Sequence, residues 1–224
     1  MPYKRKTKTH TVKKVPKSVM KYVKKAIQAP REKRYAQGSI TNVPGFHNTV
    51  GDIFGELLST IGTSASGGYN RRVGSNININ ALEMVFDFGS TASASLPAKA
   101  RIIVTRQPFP QQLTSATIMS RLSNNNMLDR SGDPEIPNVH ILHDKIYDLT
   151  LGSPSLVFSK IVKVHVKLHN RKIIYNDDLP GVLSGTPPNT CINVFIVPWA
   201  KNSEGTSTQV FYYNSQYRLL YNEA

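Results

Sequence analysis

Between Val162 and His169, apolar and basic side chains alternate without interruption. In an extended chain, Val162, Val164, Val166 and Leu168 face one way, and Lys163, His165, Lys167 and His169 face the other. A period of two does not fit a helix, so Leu156–Leu168 reads as a strand with one buried and one wet face. Arg171–Tyr175 resumes it after a break at Asn170. The same reasoning covers the rest of the chain from Ile77. Ile77–Phe88 lines up Leu82, Met84, Phe86 and Phe88 on one face. Arg101–Arg106 (RIIVTR) reads as a strand closed by Pro108 and Pro110. Val139–Leu151 sets Ile141, His143, Lys145 and Tyr147 against Leu142, Asp144 and Ile146. Cys191–Val197 is almost continuously apolar, as a strand covered on both faces would be.

Gln209–Tyr213 and Tyr217–Tyr221 read as two closing strands, separated by a turn at Asn214-Ser215-Gln216. Residues 111–138 form a long connection with a short helix at 115–122, and 181–189 is a Gly/Pro loop. About eight strands over roughly 150 residues, with no βαβ rhythm and no repeat, predict an all-β fold. The expected architecture is a single eight-stranded antiparallel jelly-roll sandwich over residues 76–224, long enough to bury a real core. Residues 35–75, rich in Gly, Ser, Asn and Thr, read as an approach segment. Its apolar island, Ile53–Leu58, fits either a helical turn or a strand. Arg71 and Arg72 stand just before the first expected strand, at a solvated position or at an interface.

Ahead of this body lies a cationic arm. Lys4–Arg34 carries thirteen Lys and Arg residues against one acid, Glu32, a net of +12. The whole chain is +14, so residues 35–224 are close to neutral. The basic residues are Lys4, Arg5, Lys6, Lys8, Lys13, Lys14, Lys17, Lys21, Lys24, Lys25, Arg31, Lys33 and Arg34. So uneven a distribution points to a polyanionic partner, because each neutralised phosphate releases counterions. A solvated tail or a nuclear-import signal has the same composition. Residues 1–14 have no apolar period. From about 16 to 28 the arm reads as an amphipathic helix. Val15, Val19, Tyr22, Val23, Ala26 and Ile27 fall at helical spacing opposite Lys17, Lys21, Lys24 and Lys25. Pro16 suits its first turn and Pro30 stops it. About a dozen residues is marginal for a lone helix, so this one needs a partner for its stripe and another for its lysines. A membrane-surface helix shares the pattern. No apolar stretch follows the charges as in a secretory signal, and no run approaches a membrane span.

Catalytic patterns are missing. The sequence holds no P-loop, GxSxG, CxxC or HExxH motif. His140 and His143 fall three apart on an expected strand, hence on opposite faces. His165 and His169 share a face but lie about 13 Å apart, too far for one metal. Asp177-Asp178 precedes Pro180 as a turn. The single cysteine, Cys191, sits in the apolar strand as a core thiol and excludes an internal disulfide. The chain reads as a non-enzyme.

These features, in order, resemble the coat proteins of very small icosahedral viruses with single-stranded genomes, above all the satellite tobacco necrosis virus type. The resemblance runs nearly end to end. It is carried by a basic arm ending in Glu32-Lys33-Arg34-Tyr35 and a first strand after Asn70-Arg71-Arg72-Val73-Gly74. RIIVTRQP at 101–108, HILHDKIYDL at 140–149, RKIIYN at 171–176, INVFIV at 192–197 and YNSQYRLLYNEA at 213–224 follow. Capsids of small circular single-stranded DNA viruses show similar patterns. The resemblance implies a T=1 shell of sixty copies, assembled inside the host cell into a virion with no membrane. Its arms would point inward onto the genome, with the helix stripes packed together near the threefold axes. The short Lys-rich arm with its helix favours RNA over DNA. Sixty such arms would carry roughly 700 positive charges, enough to neutralise much of a genome of about a kilobase. Lysines act here as point charges toward backbone rather than base readers. The row Lys163, His165, Lys167 and His169 would add a second inner contact or be a solvated or intersubunit face. No cofactor is implied as required. Satellite-type capsids bind calcium between subunits through acids near symmetry axes. The acid pair before the first strand is replaced here by Gly67-Gly68-Tyr69, and Glu223 stands where the acid near the carboxyl end is expected.

Two further classes stay open on the residues alone. One is a monomeric β-sandwich nucleic-acid-binding module, with Tyr212, Tyr213, Tyr217 and Tyr221 for stacking. The other is a jelly-roll carbohydrate-binding protein, for which the arm has no use.

Overall fold

The computed structural model describes residues 16–19, 33–55, 57–62, 72, 74–89, 98–107, 139–149, 159–175, 189–200 and 209–223. The chain divides into two units, residues 1–32 and 33–224. Among the described residues the second contains eight strands: β1 Lys33–Phe46, β2 Gly51–Asp52, β3 Asn76–Gly89, β4 Ala98–Gln107, β5 His140–Asp148, β6 Ser159–Ile174, β7 Cys191–Ala200 and β8 Gln209–Glu223. They form two four-stranded sheets, ordered β1-β8-β3-β6 and β2-β7-β4-β5, and every pairing is antiparallel. The pairs β1 with β8, β2 with β7, β3 with β6 and β4 with β5 nest inside one another. The chain therefore behaves as one long antiparallel ribbon curled into two sheets, which is the jelly-roll connectivity.

The core lies between the sheets and follows the alternation. Leu82, Met84, Phe86 and Phe88 of β3 are buried against Val162, Val164, Val166 and Leu168 of β6. Ala100, Ile102 and Val104 of β4 and Ile192, Val194 and Ile196 of β7 close it from the other sheet. Each large side chain buried here stabilises the fold by about 2 kcal/mol. Phe88 is wedged edge-on to Phe211, ring centroids 5.1 Å apart. β7 is buried on both faces, as its composition predicts. Its outward residues Phe195 and Val197 pack with Val50 and Ile103 in a second apolar cluster. Cys191 is a buried free thiol.

Several expectations require correction. The segment at 35–75 is not merely an approach: it contains all but the first two residues of β1, all of β2, and a 3-10 turn at Leu57–Thr60. Two pairs of expected segments are single elements, the first of them as the sequence reading had it. Leu156–Leu168 and Arg171–Tyr175 are both represented in β6. The break lies at His169 and Asn170, both at φ +55°, where the register against β3 shifts. Gln209–Tyr213 and Tyr217–Tyr221 are one strand, β8, with no turn. Asn214, Ser215 and Gln216 pair across the ladder with Asp87, Phe86 and Val85 of β3. Hydrogen bonding from strands on both sides outweighs the turn preference of these residues. The Asn214 side chain instead accepts the Asn42 backbone N–H at 2.8 Å, holding a bulge in β1 where Asn42 has φ +54°. β1 escaped notice because its inward positions include Ala36, Gly38 and Gly45, so the apolar signal is weak. Those glycines are required by close approach. A Cβ on Gly38 would lie 2.5 Å from the Tyr217 ring, and one on Gly45 2.6 Å from Phe211.

Candidate nucleic-acid interface

Of the arm's basic residues, the described ones are Lys17, Lys33 and Arg34. Lys17–Val19 is helical and exposed. The rest of the expected helix at 16–28, and Lys4, Arg5, Lys6, Lys8, Lys13, Lys14, Lys21, Lys24, Lys25 and Arg31, lie outside the described residues. So do the short helix at 115–122 and Asp177-Asp178. Lys33 and Arg34 begin β1 rather than end the arm. Arg34 Nη1 lies 3.0 Å from Glu223 Oε1, so the carboxylate carried over as a calcium ligand is engaged by a guanidinium. Among the described residues, no three His, Cys, Asp or Glu side chains gather as a metal site would require.

The outward face of the first sheet can be read from its register, because residues directly opposite one another share a face. At one end Lys33, Asn222, Asn78 and Lys172 run in line across β1, β8, β3 and β6. Further along come Gln37, Arg218, Glu83 and His165, then Ser39, Gln216, Val85 and Lys163. The middle of this face is a concavity of about 560 Å³ lined by Gln37, Ser39, Gln216, Arg218 and Glu83, among others. Arg218 lies over the Tyr35 ring, 5.0 Å from its centroid. His165 Nδ1 is 3.7 Å from Glu83 Oε1, and both side chains remain about half exposed. The surface offers amides and cations, with exposed apolar side chains at Val85, Ile161 and Ile174 among them, suited to hydrogen bonding, base contact and phosphate contact rather than to bond breaking.

The second sheet differs. Arg101 is buried, and its Nε and Nη2 donate to the two carboxylate oxygens of Asp144, each at 2.7 Å. Sequence reading missed this pair, although an arginine between strand apolars is its signal. Arg72, expected at a solvated position or an interface, is buried instead. Its guanidinium stacks 3.9 Å from the centroid of Tyr175, whose hydroxyl donates to the Leu58 carbonyl.

β5 carries a bulge: His143 lies opposite Val104 and Ile141 opposite Thr105, leaving Leu142 as the extra residue. The extra residue lets Leu142 and Tyr147 both pack on the core, where simple alternation sets them on opposite faces. It also puts His140, opposite Arg106, on the same face as His143, opposite Val104, contrary to the alternation. The Tyr147 hydroxyl is 3.2 Å from His143 Nε2. Burial, the main cause, lowers the His143 pKa below its ordinary value of 6.5. Burial does the same to His47, whose Nδ1 accepts the Ala200 backbone N–H at 3.0 Å.

No protein-family model and no curated protein matches the chain. Among solved structures it is similar to that of Desmodium yellow mottle tymovirus, at 11% identity over 87% of each chain with a TM-score of 0.38. It is also similar to mud crab tombus-like virus, at 6% identity over 86% of this chain and 89% of that one, TM-score 0.37. For a virus-like particle of the giant freshwater prawn Macrobrachium rosenbergii nodavirus the values are 8% identity, 99% and 94% coverage, and TM-score 0.35.

Proposed function

We propose that the chain is a viral coat protein that assembles with copies of itself into a small closed shell around a single-stranded genome, RNA favoured. The observation that carries this reading is the joining of two dissimilar parts. A near-neutral jelly roll with its own core is preceded by an arm, residues 1–32, of net +10. A container needs a rigid wall whose folding is independent of its cargo, together with a cationic segment that neutralises phosphate without reading bases. The ordered sequence resemblance to satellite-type coat proteins supports a sixty-copy T=1 shell, with the arms inside and the protein a component of the virion. No reaction is assigned to it. Calcium between subunits stays part of the proposal only through Glu223, and the Arg34 pairing argues against that acid as a free ligand.

Removing residues 1–32 tests the division of labour. The truncated chain is expected to keep its β-sheet circular dichroism and cooperative unfolding while losing co-purifying nucleic acid. A truncated chain that retains nuclease-protected nucleic acid at the full-length level would overturn the role given to the arm.

A further inference from the structure

We infer that the outward face of the first sheet is a second binding surface for single-stranded nucleic acid, with the phosphates following β6. The inference rests on the coat-protein reading for the identity of the polyanion but on different residues. Along β6, Lys163, His165 and Lys167 all point outward and are exposed. Alternate residues of a strand stand about 6.7 Å apart, close to the distance between successive phosphates of an extended single strand. Beyond the bulge at His169 and Asn170, Lys172 continues the cationic border. Beside this border lies the concavity, where Gln37, Gln216 and Arg218 present donors and acceptors beside the apolar Val85.

The charge on this face is one-sided. Lys33, Lys163, Lys167, Lys172 and Arg218 point outward, against the acids Glu83 and Asp87. Asp87 already accepts the Ser159 hydroxyl, and Glu83 lies beside His165. The arm of residues 1–32, net +10, is also joined covalently to the body at Lys33, which opens the first outward row. Strand-to-strand pairing with a second copy is disfavoured at this edge. β6 is an edge strand, and pairing two copies along it would juxtapose lysine rows, a common device against edge-to-edge association.

The test uses the full-length chain and oligouridylate as the probe, with binding followed by fluorescence anisotropy across a salt series. The triple variant K163Q/K167Q/K172Q changes only exposed side chains. It is expected to lower the slope of log affinity against log salt by about 2, from three lost phosphate contacts on a single strand. An unchanged slope overturns the inference and leaves the arm's role standing. A lowered slope in this variant, with none in K21Q/K24Q/K25Q, keeps the sheet face and removes the arm. Lysine acylation read by mass spectrometry gives a measurement free of substitutions. Lys163, Lys167 and Lys172 are expected to be shielded by the oligonucleotide, while Lys99 on the other sheet stays reactive. Equal shielding of the three lysines in protein stripped of nucleic acid, with no oligonucleotide added, assigns the row to contact between copies and overturns the inference.

Discussion

At the scale of single residues, the largest stakes lie in charges taken out of water. Arg101 is 1% exposed and answered by both oxygens of Asp144. Removing one partner strands the other, so Asp144→Asn is expected to cost about 3 kcal/mol in urea unfolding. The double variant R101M/D144L should recover most of that loss, because no charge is then buried. A double variant as unstable as D144N would show that the pair's geometry, not its charge, matters. His47 makes a pH-dependent contribution of defined sign. Its folded pKa lies below 6.5, so below that pH the unfolded chain takes up the proton first. Its stabilisation is complete above about pH 6.5 and is lost as pH falls toward the folded value. His47→Gln, which keeps an acceptor for the Ala200 N–H, should flatten part of the acid limb in a stability-against-pH series. An unchanged limb would assign the acid sensitivity to His143 and other groups.

Elements were legible in the sequence where the two faces differ in chemistry. The valine and lysine alternation of β6, the Leu82 to Phe88 face of β3 and the doubly covered β7 each repeat one contrast several times. β1 was not legible, because three of its inward positions are the small residues Ala36, Gly38 and Gly45, leaving Ile40 and Val43 as a weak apolar signal, and its partners lie at the far end of the chain. Its stability comes from aromatic rings of β8 lying over those glycines. Gly38→Val is therefore expected to lose about 1–3 kcal/mol, since Tyr217 has little room to retreat. The ring is edge-on to Phe54 at 4.7 Å, and its hydroxyl donates to Thr60 Oγ1. Full stability in this variant would mean that the β1–β8 seam is loose. The turn expected at Asn214-Ser215-Gln216 failed for a related reason. Local propensity is decided one residue at a time, whereas β8 is fixed by ladders on both sides. Bulges were illegible for the same cause: the extra residue at Leu142 follows from pairing with β4, not from its own neighbours in sequence.

For the whole molecule, the jelly roll was predictable from strand number and the lack of helical rhythm. The nesting of its four pairs was not, because it depends on contacts between segments far apart in the chain. β1 joins β8 across nearly the full body, so much of the sheet forms only after distant segments meet, a topology associated with slow folding. The candidate site divides in the same way. The arm's charge was plain from composition, whereas the outward rows of the first sheet emerge only once Lys33, Asn222, Asn78 and Lys172 are brought into line by register. Self-assembly around nucleic acid is the central claim, and negative-stain microscopy of the expressed full-length chain tests it most directly, with ultraviolet absorbance recorded before and after nuclease. Uniform closed particles that keep a nucleic-acid spectrum after digestion are the expected result. A monomer of about 25 kDa that loses its nucleic acid to nuclease would contradict the coat-protein reading.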